Sequence, residues 1–387
     1  MSVSGDARVS RNSARFDASF NPDMQKSHTI LFCGGGSFGH LVPSLAIAAE
    51  AEKIRPDVKM VFVCSDRSEE RERLREQKQH FHALRAPKFP HHLSLHAIAF
   101  PFLLIAACFQ ARKILLEEKP DLVFSKGGFV SVPVCLMARW MRIPIVLHES
   151  DSVMSASAKL MARFATVICT GFPSIGLPEK FSSLTHHTGN PVREEILAGS
   201  EAAGQRITGF SGRRPVLMII GGSQGSVALN DVVAHSLPAL LESADIIHLT
   251  GVGKGIARSH ARYFVRETVS EELPHLYALA DIVVTRAGAG TLSELGALSK
   301  AAIAVPLTGV AHNHQLRNAE LLHSRQALVL LPQEKLSTLV SEVENLLGDE
   351  LLRKHLGKAL HDSFPSDAAK KIAKIILAGP DASKVLS

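Results

Sequence analysis

Tryptophan occurs once and tyrosine twice in 387 residues, and aromatics make up only 5% of the chain. No basic run carries interleaved aromatics, so the stacking platforms of nucleic-acid binders are missing and nucleic acid is not expected as a partner. Cysteine is scarce and scattered. Cys33, Cys64, Cys108, Cys135 and Cys169 sit mostly inside apolar runs, with no CxxC pair and no His/Cys cluster at ligand spacing. That pattern speaks against a disulfide framework and for buried thiols in a reducing compartment. No metal or other cofactor is expected, and no Asp-x-Asp stands at a strand end.

No uninterrupted apolar run reaches the roughly 20 residues of a membrane-spanning helix. The nearest, 93–109, carries His96 and Pro101 and is read as non-spanning. Arg85, Lys88, His91, His92, Arg112 and Lys113 surround it. Two readings stay open: a core helix of the first domain, or an apolar surface framed by cations that lies on an anionic leaflet. The first 28 or so residues are polar, with charges of both signs and no apolar core, so they do not read as a signal peptide. A disordered leader over 1–27 is expected.

What the chain does contain is one kind of loop, twice. The apolar strand 29–33 runs into GGGSFGH (34–40), and 216–220 runs into GGSQGS (221–226), each followed by a helical pattern. Glycines at a strand-to-helix turn let backbone approach a ligand, and the helix N-terminus behind them offers unpaired N–H groups and partial positive charge to an anion. A length of 387 residues suits two domains, and 46% hydrophobic with 21% charged residues lets each bury a core. The net charge of +6 favours anionic partners such as nucleotides, phosphates or acidic lipid, or merely aids solubility.

Strands are predicted at 29–33, 58–64, 121–124, 143–147 and 166–169, alternating with helical patterns at 41–54 and 69–78. The second half repeats this with strands at 216–220, 246–249, 281–285 and 302–305 and helices after 227, from 292 and over 314–324. Such alternation implies parallel βαβ units in doubly wound α/β sheets, whose ligands bind beyond the carboxyl ends of the strands. The expected organisation is a first domain over 28–190, a linker over 191–212 rich in Gly, Ser and charge, and a second domain over 213–363. An amphipathic C-terminal helix within 364–387 would pack back on the first domain.

Residues 34–39 match the dinucleotide fingerprint G-x-G-x-x-G, but Asp66 lies later than the usual ribose-binding acid, and His40 follows the last glycine. A histidine there suits a general base or a phosphate contact, and a helix-capping histidine is the plainer alternative. Glu294 sits one turn into its helix, where it either complements the helix dipole or accepts from a ribose diol. His314, Gln315 and Asn318 stand at a further strand-to-helix connection.

The set GGGSFGHLVP, SKGGFVSVP, LHESD, GNPVR, GGSQGS, TRAGAGTLSE and NHQLRNA resembles, from about 28 to 332 and in order, the peptidoglycan transferases of glycosyltransferase family 28. The resemblance implies the GT-B architecture, two Rossmann-like domains facing a cleft, working without a metal. It implies UDP-N-acetylglucosamine as donor and undecaprenyl-diphosphate-linked N-acetylmuramoyl-pentapeptide as acceptor. A polyprenyl acceptor further implies a peripheral enzyme on the cytoplasmic side of the cell membrane, docked on an anionic surface.

Carried over by position, Ser223 would meet the diphosphate above the turn Ala289, Gly290 and Thr291, with Leu292 and Ser293 continuing the nucleotide-binding run. Glu294 would hold the ribose diol, Ser270 would face uracil, and His314 with Gln315 would read sugar hydroxyls. Arg193 would approach the nucleotide as the cleft closes. Ser37, Phe38, Gly39 and His40 would meet sugar and acceptor, and Glu149 and Asp151 would line the acceptor side. Three positions depart from the family pattern: Phe38 adds bulk in a glycine loop, HESD carries Ser150 and Asp151 where Gln and Asn are usual, and Asn313 replaces a common Asp.

The implied reaction is a single inverting displacement, with the acceptor 4-hydroxyl attacking the anomeric carbon and UDP leaving. His40 is the expected base, because the ordinary pKa of histidine lies near working pH, and Glu149 is the second candidate. Alternatives are a related transferase with another lipid or polysaccharide acceptor, a UDP-sugar epimerase or nicotinamide enzyme, and a non-catalytic nucleotide-sugar binder.

Overall fold

The computed structural model describes residues 28–36, 38–89, 95–173, 176–222, 225–256, 258–309 and 313–379, together with the backbone alone at 38 and 95–97. The leader expected over 1–27 lies outside the described residues. The N-terminal half runs β1 (Thr29–Gly34), α1 (Phe38–Ile54), β2 (Lys59–Ser65), α2 (Ser68–Glu76), β3 (Phe81–Leu84) and α3 (Leu95–Glu118). It continues with β4 (Leu122–Gly127), α4 (Ser131–Trp140), β5 (Ile145–Glu149), α5 (Ala156–Met161), β6 (Val167–Thr170) and β7 (Thr185–His187). Two short helices, α6 (Glu194–Leu197) and α7 (Glu201–Thr208), follow.

The C-terminal half comprises β8 (Val216–Ile220), α8 (Val227–Ser243), β9 (Asp245–Leu249), β10 (Tyr263–Arg266), α9 (Leu273–Leu279) and β11 (Ile282–Thr285). Next come α10 (Ala289–Ala297), β12 (Ala301–Ala304), α11 (His314–Ser324) and β13 (Val329–Leu330). The last elements are α12 (Leu339–Gly348), α13 (Glu350–Asp362) and α14 (Ala368–Ala378).

Among the described residues these strands make two parallel sheets, ordered β3-β2-β1-β4-β5-β6-β7 and β10-β9-β8-β11-β12-β13. Central strands such as β1, β4 and β8 are apolar and buried along both faces, as sheets covered by helices on each side require. In each sheet the order reverses at the first strand, so β1/β4 and β8/β11 flank the switch point where ligands bind. This is the GT-B arrangement of two Rossmann-like domains.

The edge strands β3, β7, β10 and β13 escape sequence reasoning because they are only two to four residues long and partly exposed, which leaves no apolar run to detect. The stretch expected as linker folds into α6 and α7. Ser200 caps α7 by accepting from the Ala203 amide, and Gly209 ends it in left-handed conformation at φ 77°. At the far end of the chain, Ile372, Ala373, Ile375 and Ile376 of α14 join Ile30, Phe32 and Ile47 in the core of the N-terminal sheet. The C-terminal helix therefore crosses back and couples the two halves.

Candidate active site

The carboxyl ends of the N-terminal strands carry a cluster of charge. Lys126 ends β4 and is only 3% exposed. Its ammonium donates to the Ser150 hydroxyl, between Glu149 at the end of β5 and Asp151. Burial brings Lys126 down to about 8, against the pull of Glu149 and Asp151. Burial and then the neighbouring Asp151 push Glu149 up to about 7, although its oxygens accept from the Asp151 and Ser155 amides at 3.2 and 3.3 Å. Two buried groups of opposite charge therefore both titrate near neutrality, one raised and one lowered, as catalytic groups commonly do.

His40, in the first turn of α1, packs its ring against the β4–α4 turn; a Cβ added at Gly128 would lie 3.0 Å from His40 Cε1. Burial, then the charge of Lys126, lowers His40 to about 4. The imidazole is therefore neutral at working pH, but its basicity is far below the value assumed from sequence. In this environment Glu149, not His40, has its pKa near neutrality.

The first glycine loop spends one of its amides on a protein carboxylate. Glu70 of α2, 2% exposed, accepts from the Gly36 amide at 2.6 Å and from the Ser65 amide and hydroxyl at 2.9 and 2.8 Å. The carboxylate thus takes up the Gly36 amide of this loop. Gly35 must be glycine because an added Cβ would lie 2.8 Å from the Ser65 nitrogen. Ser37 and the Phe38 side chain lie outside the described residues, and Gly39 is exposed in the first turn of α1.

Across the cleft the second domain presents the N-terminus of α10. Its cap, Gly288, makes no side-chain bond to the first turn, and a Cβ added at Gly288 or Gly290 would meet nothing within 4 Å. Uncapped amides of Ala289, Gly290 and Thr291 beside open space are what an anionic diphosphate requires. Leu292 and Ser293 are buried in the same helix, with Ser293 Oγ donating to the Ala289 carbonyl at 2.8 Å. One turn on, Glu294 Oε2 accepts from the Tyr277 hydroxyl at 3.3 Å, and its Oε1 lies 3.7 Å from an Arg193 guanidinium nitrogen. Burial raises the Glu294 pKa, against Arg193 and Tyr277. Arg193 and Ser270 line a cavity of about 810 Å³ that opens between α1, α6 and α9.

Of the second glycine loop, Ser223 lies outside the described residues. Its end is firmly built: Ser226 Oγ accepts from the Leu229 amide at 3.3 Å and from Arg286 at 2.6 Å, while Arg286 also donates to the Val305 carbonyl at 3.0 Å. Gln315 Oε1 accepts from the Leu307 amide at 3.0 Å, and His314 begins α11 beside it. Asn313, in left-handed conformation at φ 56°, accepts from the Gly309 amide at 2.7 Å, so an amide there holds the turn as an Asp would.

Two buried amides join the halves. Asn190 Nδ2 donates to the Ser150 carbonyl and to Ser293 Oγ, each at 3.1 Å. Asn318 Nδ2 donates to Asp151 Oδ1 at 2.8 Å, and its Oδ1 accepts from the Ser152 amide at 2.8 Å. Asp151 thus spends one oxygen on the partner domain rather than on an open acceptor surface. Sequence reasoning missed Lys126, Glu70 and Asn190 as structural actors. Lys126 had a signal, a lysine closing an apolar strand; the others acquire roles only from contacts distant in sequence. Away from these residues, His80, His82 and Glu118 also converge, with their ligand atoms within 4.8 Å of one another.

Family models for the glycosyltransferase family 28 N-terminal domain and C-terminal domain match residues 30–170 and 216–372. A UDP-N-acetylglucosamine--N-acetylmuramyl-(pentapeptide) pyrophosphoryl-undecaprenol N-acetylglucosamine transferase of Lachnoclostridium phytofermentans is 34% identical over 90% of this chain and 98% of its own. The Clostridium kluyveri protein of the same name is 35% identical over the same shares. The crystal structure of Acinetobacter baumannii MurG, 22% identical, superposes with a TM-score of 0.70 over 91% of this chain and 99% of that one, which speaks for the fold. With both halves matched and relatives above 30% identity across nine-tenths of its length, the chain belongs to glycosyltransferase family 28.

Proposed function

We infer that the protein transfers N-acetylglucosamine from UDP-N-acetylglucosamine to the C4 hydroxyl of undecaprenyl-diphosphate-linked N-acetylmuramoyl-pentapeptide, with inversion. The observation that carries this reading is the pairing, across one cleft, of a carboxyl near pKa 7 at Glu149 with an uncapped helix N-terminus at α10. The acceptor oxygen forms its bond to the anomeric carbon as the bond from that carbon to the diphosphate oxygen breaks. Glu149 takes the hydroxyl proton, and UDP leaves against the α10 amides, whose dipole supports the developing charge. Neutral His40 orients the acceptor, Lys126 holds Glu149 and Asp151 in place, and Glu294 with Arg193 grips the ribose. Ser223, Ser270, His314 and Gln315 complete the donor site.

The acceptor cannot leave the bilayer, and α3 supports docking there. Ile98, Phe102, Ile105, Phe109 and Leu116 recur at helical spacing and are 45–72% exposed, while Ala107, Ala111, Ile114 and Leu115 pack inward. The segment Ile98–Glu118 is long and apolar enough to cross a membrane by length and composition, longer than the run read from sequence. Its inner face is taken up by protein, so lipid cannot surround it; a helix lying on the anionic cytoplasmic leaflet fits better. Arg112 and Lys113 are exposed on α3, and Arg112 stacks over the exposed Trp140 ring at 5.4 Å.

The test is a single-turnover assay with radiolabelled UDP-N-acetylglucosamine and a shortened-prenyl muramoyl acceptor. Product that requires both substrates supports the reading. Sugar released or epimerised without acceptor would replace it with the epimerase alternative.

A further inference from the structure

The edge of the N-terminal sheet far from the cleft carries an arrangement that the transfer reaction does not use. His80 and His82 are two residues apart on an extended segment, so both side chains leave the same face. Each Nε2 lies 2.7 Å from the same oxygen, Oε1 of Glu118. The other oxygen, Oε2, accepts from Lys59 Nζ at 2.7 Å. Glu118 is 4% exposed at its side chain, His82 21% and His80 53%, so the cluster is anchored on its inner side and open to solvent on its outer side. The three ligand atoms lie within 4.8 Å of one another.

Glu118 is the last residue of α3, where the helix dipole places partial negative charge, a further attraction for a cation. His80 precedes β3, and Glu118 precedes β4, so the cluster sits where parallel strands begin. Lys126 and Glu149 stand where strands end, at the opposite rim of the sheet.

We propose that His80, His82 and Glu118 bind one late first-row divalent metal ion, of the class of Zn²⁺, Co²⁺ or Ni²⁺, at this remote edge. Two imidazole nitrogens and one carboxylate oxygen suit those ions and not Mg²⁺ or Ca²⁺, which prefer all-oxygen shells. Ligand bonds of about 2.0–2.2 Å at tetrahedral angles put donor atoms about 3.3 Å apart. Each imidazole nitrogen, now 2.7 Å from Glu118 Oε1, needs to withdraw by about 0.6 Å, and the two nitrogens, within 4.8 Å of each other, must settle at the same spacing, which the half-exposed His80 side chain can accommodate. Water would complete the shell on the open side. The bound ion would staple the end of α3 to the edge strand β3 and so stiffen the helix that carries the exposed apolar stripe. Lys59 competes for Glu118, and a bound metal must tolerate or displace its ammonium.

The experiment uses the full chain without an affinity tag, stripped with chelator, and titrated with Co²⁺ followed optically and with Zn²⁺ followed by calorimetry and melting temperature. Expected are uptake of one equivalent at this site and a rise in melting temperature with Zn²⁺. His80→Ala and His82→Ala should each weaken that uptake at least about tenfold. Lys59→Met should tighten it several-fold, because the three donors remain and the competing cation is gone. Both histidines are partly exposed, so their variants should stay folded by circular dichroism. The proposal is overturned if the wild-type chain shows no saturable uptake. It is equally overturned if the His80→Ala/His82→Ala double variant binds as well as wild type, the ion then residing on other histidines.

Discussion

Asn318 on α11 donates its side-chain amide to Asp151 across the domain boundary at 2.8 Å, and the same Asn318 is fully buried. The bond explains the carboxylate in the HESD segment: an acceptor-only group meets the amide's donor end. Asn318 Oδ1 meanwhile serves the Ser152 amide, and its Nδ2 also reaches the Ala287 carbonyl at 3.2 Å. One side chain therefore ties the acceptor-side loop to the nucleotide-side helix.

Asn318→Ala should destabilise the protein by about 1–3 kcal/mol, since it strands the Ser152 amide and the Asp151 carboxylate. Urea denaturation followed by fluorescence and circular dichroism would measure the loss. Asn318→Asp should cost more, because it sets two carboxylates against each other. Equal stability of Asn318→Asp and wild type would mean that the bond does not hold the halves together.

The pH dependence separates the two candidate bases. A base acts deprotonated, so the rate rises as pH passes upward through its pKa. With Glu149 raised to about 7 and His40 lowered to about 4, kcat/KM should rise through neutrality, and it should fall again above about 8 as the Lys126 ammonium loses its proton. Glu149→Gln should remove the rising limb and lower kcat by about 10²–10⁴-fold. His40→Ala should keep the rising limb and lose less. A rising limb that survives in Glu149→Gln would return the role to His40.

Gly290→Ala distinguishes ligand space from structural necessity. An added Cβ there meets no protein atom within 4 Å, so stability should change by less than about 0.5 kcal/mol. If the UDP diphosphate sits on that helix turn, the KM for UDP-N-acetylglucosamine should rise at least about tenfold through steric exclusion alone. Thermal melts with and without UDP would read both effects, and unchanged UDP affinity would move the diphosphate elsewhere.

Glu70→Gln should destabilise by about 1–3 kcal/mol, because Gln retains one acceptor oxygen where the carboxylate serves the Gly36 and Ser65 amides with two. Differential scanning calorimetry would show this without any assay. A neutral effect would mean that the loop recruits other partners.

On the membrane side, Phe102→Ser with Phe109→Ser should lower partitioning onto phosphatidylglycerol vesicles at least about tenfold, given the apolar area removed. Turnover of a short-chain soluble acceptor should hardly change. Arg112→Glu with Lys113→Glu should weaken binding most at low salt. Binding to vesicles that ignores all four changes would remove α3 from the docking surface.

The amino-acid sequence alone determined the alternation of buried strands and helices, the two glycine turns and the family motifs, because apolar runs and glycines encode local conformation. Glu294 and Arg193 were nameable because each sits in such a motif. Only the tertiary structure decided which groups face one another. Glu70 reaches the Gly36 amide because α2 folds beside the loop, Asn318 reaches Asp151 from 167 positions away in the chain, and His80 meets Glu118 across 38. The basicities likewise follow from placement: burial and Lys126 lower His40, while burial and Asp151 raise Glu149. A pKa depends on desolvation and neighbouring charge in space, and neither is written in the order of residues.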